Sequence, residues 1–290
     1  MYTSYWGLRE RPFENTPDPR FLYQSQQHKE ALARMLYVVH QRKGGFMLTG
    51  EYGSGKTLLT RVLWQELQQE HIFQTAFILN PRLSGLELIQ EIANQLSGEA
   101  PPNSKIELFH LLHKIFYANY NAGRHSVVVI DEAQAIKDED IFEELRLLLN
   151  FQLEQAFLLS LVILGQPELR YTMMHLPQLT QRLAASFHLK RLNCQETREY
   201  ILHRLSVAGA SSAIFSDDAY ELIYSLSQGT PRIINNICDL ALLVGFGNSE
   251  KVIGKKLIED VGEDLSLRVI RDKRYHRESG LDSEALEADL

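Results

Sequence analysis

Residues 46–63 read FMLTGEYGSGKTLLTRVL, a short apolar run followed by a complete G-x-x-x-x-G-K-[ST] motif and then by leucine and valine at helical spacing. The order is that of a strand, a glycine-rich loop and a helix. Glycines allow such a loop to turn sharply and to aim its N–H groups inward, while the helix adds the positive end of its dipole. The stretch therefore predicts a loop that binds the phosphates of a nucleoside triphosphate. A chance glycine-rich turn, the alternative, would not account for both flanks.

The motif also assigns individual roles. Lys56 is predicted to reach the outer phosphates, as a binding and catalytic residue, and the Thr57 hydroxyl to coordinate Mg²⁺. The candidate nucleotide-binding residues are those of the loop and the first turn of its helix: Gly50, Glu51, Tyr52, Gly53, Ser54, Gly55, Lys56, Thr57 and Leu58.

A second motif places two carboxylates after a run of branched residues, since Val127–Ile130 leads directly into Asp131 and Glu132. Such a run predicts a buried parallel strand, and the carboxyl ends of parallel strands face the ligand crevice of open α/β sheets. Asp131 is then expected to hold Mg²⁺ through its water shell and Glu132 to orient the attacking water. In the alternative, Asp131 caps a helix and Glu132 is a solvated first-turn acid. The phosphate loop favours the catalytic interpretation.

The composition agrees with a cytoplasmic enzyme. The chain has 290 residues with 44% hydrophobic content, enough to bury a large core. Its net charge of −7 argues against a protein whose surface as a whole binds nucleic acid, although local basic patches are compatible with that net charge. No signal peptide or membrane span is visible, so we expect a cytoplasmic location or one peripheral to the inner membrane. The histidines form no metal-binding pattern, and Cys194 and Cys238 are expected to be free, buried thiols.

The periodicity predicts an α/β fold with a five-stranded parallel sheet flanked by helices, followed by a small all-α domain. Strands are predicted near residues 46–49, 75–79, 127–130, 158–164 and 186–189. Four regions are predicted. They are an aromatic and proline-rich N-terminal arm that wraps the α/β body (residues 1–24), the nucleotide-binding domain (25–192), a helical lid (193–264) and a charged tail (265–290).

Five segments together carry a family resemblance: Gly50–Thr57, Val127–Gln134 ending in Asp-Glu-Ala-Gln, Leu145–Gln152, Leu164–Leu169 and Gly229–Asn235. They resemble the AAA+ ATPases typified by general secretion pathway protein A, and more distantly the ATPases that regulate transposition. The resemblance implies a P-loop NTPase of the AAA+ fold with a lid domain. It also implies ATP and Mg²⁺ as ligands, and a homo-oligomer formed or stabilised by ATP.

The resemblance assigns roles to three further residues. Gln166 matches the polar sensor between the carboxylates and the γ-phosphate, with a loop amide that caps a turn as the alternative. Arg232 matches the lid arginine that closes onto the nucleotide. Arg182 matches an arginine finger offered to a neighbouring subunit, with a solvated helix charge as the alternative. Family members commonly carry a second arginine where this chain has Ser186.

The function expected from these features is Mg-dependent ATP hydrolysis coupled to the assembly of a secretion, pilus or export machine. ATP is favoured over GTP because the sequence lacks an Asn/Thr-Lys-x-Asp segment. The alternative is a DNA-binding regulator of transposition or replication, which basic clusters at Lys190-Arg191, Lys255-Lys256 and residues 268–277 favour. A nucleotide-dependent scaffold with little turnover is a third class. The best-known relatives continue into a membrane span and a periplasmic domain, so envelope binding in cis is not expected here.

Overall fold

The structure, a computed structural model, describes residues 1–265. It divides into two compact units, Pro17–Lys190 and a second unit formed by Met1–Thr16 together with the residues from Arg191 onward. The predicted charged tail, apart from its first residue, lies outside the described residues.

The larger unit contains one sheet of five strands, all parallel, in the order β2-β3-β4-β1-β5. The predicted five-stranded parallel sheet is confirmed. The strands are β1 Gly45–Gly50, β2 Phe73–Ile78, β3 His125–Ile130, β4 Leu159–Gly165 and β5 Leu183–Leu189. Three of them, β2, β3 and β5, begin two or three residues before their predicted starts, because backbone pairing with the neighbouring strand already begins at these earlier residues.

Helices connect the strands and form the second unit. In chain order they are α1 Tyr2–Tyr5, α2 Gln26–His40, α3 Lys56–Gln69, α4 Gly85–Ser97, α5 Lys105–Asn121, α6 Glu139–Leu148, α7 Glu168–Met174, α8 Pro177–Thr180, α9 Cys194–Val207, α10 Asp217–Ser227, α11 Pro231–Gly247 and α12 over residues 255–265. Short 3-10 turns lie at Pro19–Phe21 and Ala133–Ala135.

Both faces of the sheet are covered, as the continuous apolar runs of its strands require. In β3, Val127 and Val129 belong to a core shared with α2 and α3, whereas Val128 and Ile130 belong to a core shared with α4, α5 and α6. All residues of β1, β3 and β4 are buried. Because β4 lies between β3 and β1, the carboxyl ends of these three strands are adjacent, which brings together the segments that follow them.

The second unit contains the first sixteen residues of the chain, which differs from the expectation that the arm wraps the α/β body. Polar contacts explain this placement. The Trp6 indole N–H donates to the Leu242 carbonyl oxygen at 2.9 Å. The buried Arg204 guanidinium donates to the carbonyl oxygens of Pro12, at 2.5 Å, and Glu14, at 2.9 Å. These donors would be costly to bury without acceptors, so they tie the arm to α9 and α11.

Candidate nucleotide-binding site

The predicted phosphate loop connects the end of β1 to the start of α3. Gly55 precedes α3 with a φ of +100°, a left-handed conformation that favours glycine. The Ser54 hydroxyl is buried in this loop and has no hydrogen-bond partner in the described part of the chain. A buried hydroxyl without a partner costs about 1–3 kcal/mol. A phosphate oxygen bound in the loop would accept the hydrogen bond that the Ser54 hydroxyl lacks. The loop therefore fits an anionic ligand.

Lys56 is an unusual buried cation. Its side chain is only 5% exposed, and its ammonium group donates to the carbonyl oxygens of Gly50, at 2.6 Å, and Glu51, at 3.0 Å. Burial lowers the pKa of Lys56, and the nearby carboxylates of Glu132 and Asp131 act in the opposite direction. Neutral carbonyl oxygens compensate a buried charge only partly, so this site favours the arrival of negative charge.

Thr57 and Asp131 lie in direct contact across the ends of α3 and β3. The Thr57 hydroxyl donates to Asp131 Oδ2 at 2.9 Å, and the backbone N–H of Glu132 donates to Asp131 Oδ1 at 2.8 Å. Asp131 is 2% exposed, and burial raises the pKa of its carboxyl group, while the Thr57 hydrogen bond acts to lower it. Hydroxyl and carboxylate oxygens are the ligand types that Mg²⁺ takes, so this pair fits that metal.

Glu132 is held between two side-chain amides. Its Oε2 accepts a hydrogen bond from Gln134 Nε2 at 2.5 Å and a longer one from Gln166 Nε2 at 3.5 Å. The other end of the Gln134 amide, Oε1, accepts from the backbone N–H of Gln166 at 2.9 Å. Glu132 itself has a φ of +53°, which is uncommon for a residue other than glycine. The structure thus brings Glu132 and Gln166 into contact.

Two residues in this region received no role from the sequence. Gln134 belongs to the Asp-Glu-Ala-Gln run, but only the 3-10 turn at Ala133–Ala135 folds its side chain back toward Glu132. His28, from the first turn of α2, approaches the Ser54 carbonyl oxygen at 3.1 Å through Nε2 and the Ser25 hydroxyl at 2.6 Å through Nδ1. Ser25 is the N-cap of α2, and no local sequence pattern signals the contact of His28 with the phosphate loop.

The other predicted residues have different surroundings. Tyr52 is 57% exposed at the tip of the loop, Glu51 is half-buried, and Leu58 packs against the core shared by α2 and α3. Arg232 is the second residue of α11 and belongs to the helical unit.

Arg182 lies at the opposite end of the sheet from the phosphate loop. Its carbonyl oxygen accepts from the backbone N–H of Gly45, at the start of β1, and its guanidinium donates to the Leu149 carbonyl oxygen at 3.2 Å. The six residues of β1 separate these ends by about 17 Å. Arg182 is therefore remote from the phosphate loop of its own chain.

Both cysteines are free, but only Cys238 is buried; Cys194 is exposed, so the expectation of a buried thiol is wrong there.

Two features are absent from residues 1–265. In that range no helix is long and apolar enough to cross a membrane. The same residues contain no group of three or more His, Cys, Asp or Glu side chains arranged to hold a metal ion.

The sheet order and the loop geometry define the class: this is a P-loop protein of the AAA+ fold. Residues 39–173 match the family described as "AAA domain". General secretion pathway protein A of Aeromonas hydrophila is 40% identical over 257 residues, which are 87% of this chain and 46% of that protein. The resemblance inferred from the motifs is confirmed: most of this chain is similar to that protein, and the chain has the AAA+ fold. It spans less than half the length of that relative.

Solved structures support the fold alone. The Aeropyrum pernix ORC2 protein superposes with a TM-score of 0.66 at 18% identity, over 88% of this chain and 71% of that one. The Aeropyrum pernix ORC1 protein, solved in complex with DNA, gives 0.64 at 15% identity, over 89% and 69%. The Thermotoga maritima RuvB Holliday junction branch migration motor gives 0.56 at 20% identity, over 83% and 70%.

Proposed function

We propose that this chain binds ATP with Mg²⁺ and hydrolyses it. The observation that carries the proposal is the arrangement at the carboxyl ends of β1, β3 and β4. A buried cation, a hydroxyl–carboxylate pair and a carboxylate held by amides lie on adjacent segments there. These are the parts that phosphoryl transfer requires: a cradle for the phosphates, ligands for the metal and a group that orients water.

Each residue has a defined task in this proposal. The loop N–H groups and Lys56 bind the phosphates. The Lys56 ammonium group would then donate to phosphate oxygens instead of carbonyl oxygens, and their negative charge would compensate its own. Thr57 and Asp131 would hold Mg²⁺, which neutralises charge on the phosphate oxygens when bound. Glu132 orients the attacking water, and Gln166 lies beside it to contact the γ-phosphate.

The remaining assignments concern the assembled protein. We propose that the helical unit acts as a lid whose Arg232 contacts the nucleotide, and that Arg182 acts on the nucleotide of a neighbouring copy. The distance of Arg182 from its own phosphate loop supports an action in trans and a homo-oligomer stabilised by ATP. The 40% identity to General secretion pathway protein A supports a protein partner in a secretion or envelope-assembly system, with a cytoplasmic or peripheral inner-membrane location.

Glu132→Gln tests the hydrolytic role. We expect ATP binding to remain and turnover to fall by about 10²-fold or more, because the amide retains the shape of the side chain but cannot accept a proton from water. The measurement is steady-state phosphate release alongside ATP affinity. Glu139→Gln, the same change on the exposed first turn of α6, is the matched control and should leave turnover unchanged. Full activity of Glu132→Gln would remove Glu132 from the mechanism.

Regulation by DNA is the second candidate, because Lys190, Arg191, Lys255 and Lys256 are all exposed. Turnover with and without duplex DNA at low salt separates the two candidates, since phosphate contacts are strongest there. Clear stimulation favours the DNA regulator. Unchanged turnover favours the assembly ATPase and directs the search toward a protein partner.

A further inference from the structure

Gln134 connects two segments whose relative position matters for the proposed reaction, the one that carries Glu132 and the one that carries Gln166. Its side chain begins on the 3-10 turn after β3 and ends against the first residue after β4. One end of its amide donates to Glu132 Oε2 at 2.5 Å, and the other accepts from the Gln166 backbone N–H at 2.9 Å. Both polar atoms of one side chain are therefore committed to the two neighbouring strand ends.

This bridge requires both a donor and an acceptor at the tip of one side chain, and a carboxamide supplies both. A glutamate at this position would retain the acceptor for Gln166 but would place a second carboxylate against Glu132. A leucine would supply neither group. The contact with Glu132 is also a hydrogen bond to a charged acceptor, a kind that contributes more than a bond between neutral groups.

Gly165, which has no side chain, leaves room for the Gln134 amide. A Cβ atom on Gly165 would lie 3.0 Å from Gln134 Oε1 and 2.7 Å from Leu169 Cδ2, so a larger residue there would disturb the bridge. Gln134 is half-buried, which protects its hydrogen bonds from competition with water. Glu132 has a φ of +53°, a strained backbone conformation for a residue other than glycine, and its side chain is held by the Gln134 amide.

We propose that Gln134 is a positioning residue that sets the direction of the Glu132 carboxylate and couples it to the strand end that carries Gln166. The inference rests on the proposed ATP hydrolysis. Gln134 would not touch the reacting atoms itself. Its removal should therefore affect the rate of the chemical step more than the affinity for nucleotide.

Two variants separate the two ends of the bridge. Gln134→Glu keeps the acceptor for Gln166 and loses the donor to Glu132, whereas Gln134→Leu loses both. Gln65→Glu, the same change on the exposed face of α3, is the matched control. Three quantities are measured: kcat for ATP, affinity for ADP, and hydrogen exchange of the Gln166 backbone amide by NMR in the nucleotide-free protein.

For Gln134→Glu we expect kcat to fall by about tenfold or more, ADP affinity to stay within about threefold, and protection of the Gln166 amide to be retained. For Gln134→Leu we expect the same loss of kcat and, in addition, at least about tenfold faster exchange at Gln166. A residue that only supported folding would not separate kcat from Gln166 exchange in this way.

Several results would overturn the inference. A Gln134→Glu variant with wild-type kcat would show that the donor to Glu132 is dispensable, while the proposed hydrolysis stands. Unchanged exchange of Gln166 in Gln134→Leu would refute the bridge without reference to activity. A wild-type chain that binds ATP but does not hydrolyse it would remove the proposed function first, and this inference with it.

Discussion

The amino and carboxyl ends of the sheet both contain buried polar side chains, but the two sets have different partners. At the amino end, His125 contacts the Ser160 hydroxyl at 2.9 Å, and Asn119 donates to the Ser126 hydroxyl at 2.8 Å. These contacts are between neutral groups, since burial lowers the pKa of His125 to about 3. At the carboxyl end lie a buried lysine on carbonyl oxygens and a serine hydroxyl without a partner in the described residues.

The difference distinguishes polar groups that are satisfied within the fold from polar groups that the fold leaves only partly compensated. Neutral pairs at the amino end are satisfied inside the chain and need nothing more. At the carboxyl end, burial raises the pKa of the Asp131 carboxyl group and lowers the pKa of Lys56, so both groups are held where their charged forms are disfavoured. A bound phosphate and a cation would compensate these costs.

Arg182 is an exception to this difference between the two ends, because it lies at the amino end and yet is proposed to act on the nucleotide of a neighbouring copy. We expect Arg182→Ala to lower turnover by up to ~10³-fold, as for other arginine fingers, and wild-type specific activity to rise with protein concentration. Turnover measured across a concentration series checks both points. Arg124→Ala, at an exposed arginine of the same end, is the control. Activity independent of concentration, with an active Arg182→Ala, would restrict catalysis to the carboxyl end of one chain.

Lys56→Met tests whether the carboxyl end binds the nucleotide. We expect ATP affinity to fall roughly 10- to 100-fold, the worth of one or two lost charge-assisted hydrogen bonds. The melting temperature of the nucleotide-free variant should not fall, because the substitution also removes a buried charge that is poorly compensated. Calorimetric titration and thermal unfolding measure the two effects. A large loss of stability would mean that Lys56 supports the fold, like the polar groups of the other end.

His125→Gln tests the amino end and should have the smallest effect on activity. Because the pKa of His125 is lowered from 6.5 to about 3 in the folded state, only the unfolded chain takes up this proton between those values. The free energy of unfolding of the wild type should thus fall as the pH drops through that window, by up to about 1.4 kcal/mol per pH unit from this group.

The glutamine variant can still bond to Ser160 but does not titrate, so its unfolding free energy should depend less steeply on pH over the same range. Denaturant unfolding at several pH values measures this difference, and turnover at neutral pH should stay within about twofold of wild type. Equal slopes for the two proteins would mean that His125 does not contribute to the pH dependence. A large loss of turnover would connect the amino end to the site.

The sequence predicted much of the fold because its signals are local. The glycine-rich motif, the apolar run of β3 and the carboxylates after it each depend on a few consecutive residues, and the sheet was predicted correctly from them. Capping also acts locally, since Asn193 and Glu196 form a capping box at the start of α9. The placement of the first sixteen residues was missed, because their polar partners are more than 180 residues away.

Local patterns in the sequence were enough to identify the class of protein. They also identified the candidate phosphate loop and Thr57 and Asp131 as the candidate metal-binding pair. The folded chain alone established that Gln134 bridges Glu132 and Gln166, that His28 reaches Ser54, and that Arg182 lies at the far end of the sheet. The physical reason is the order of the strands. Residues distant in sequence become neighbours only when β4 pairs between β3 and β1, and no short pattern records which side chains then meet.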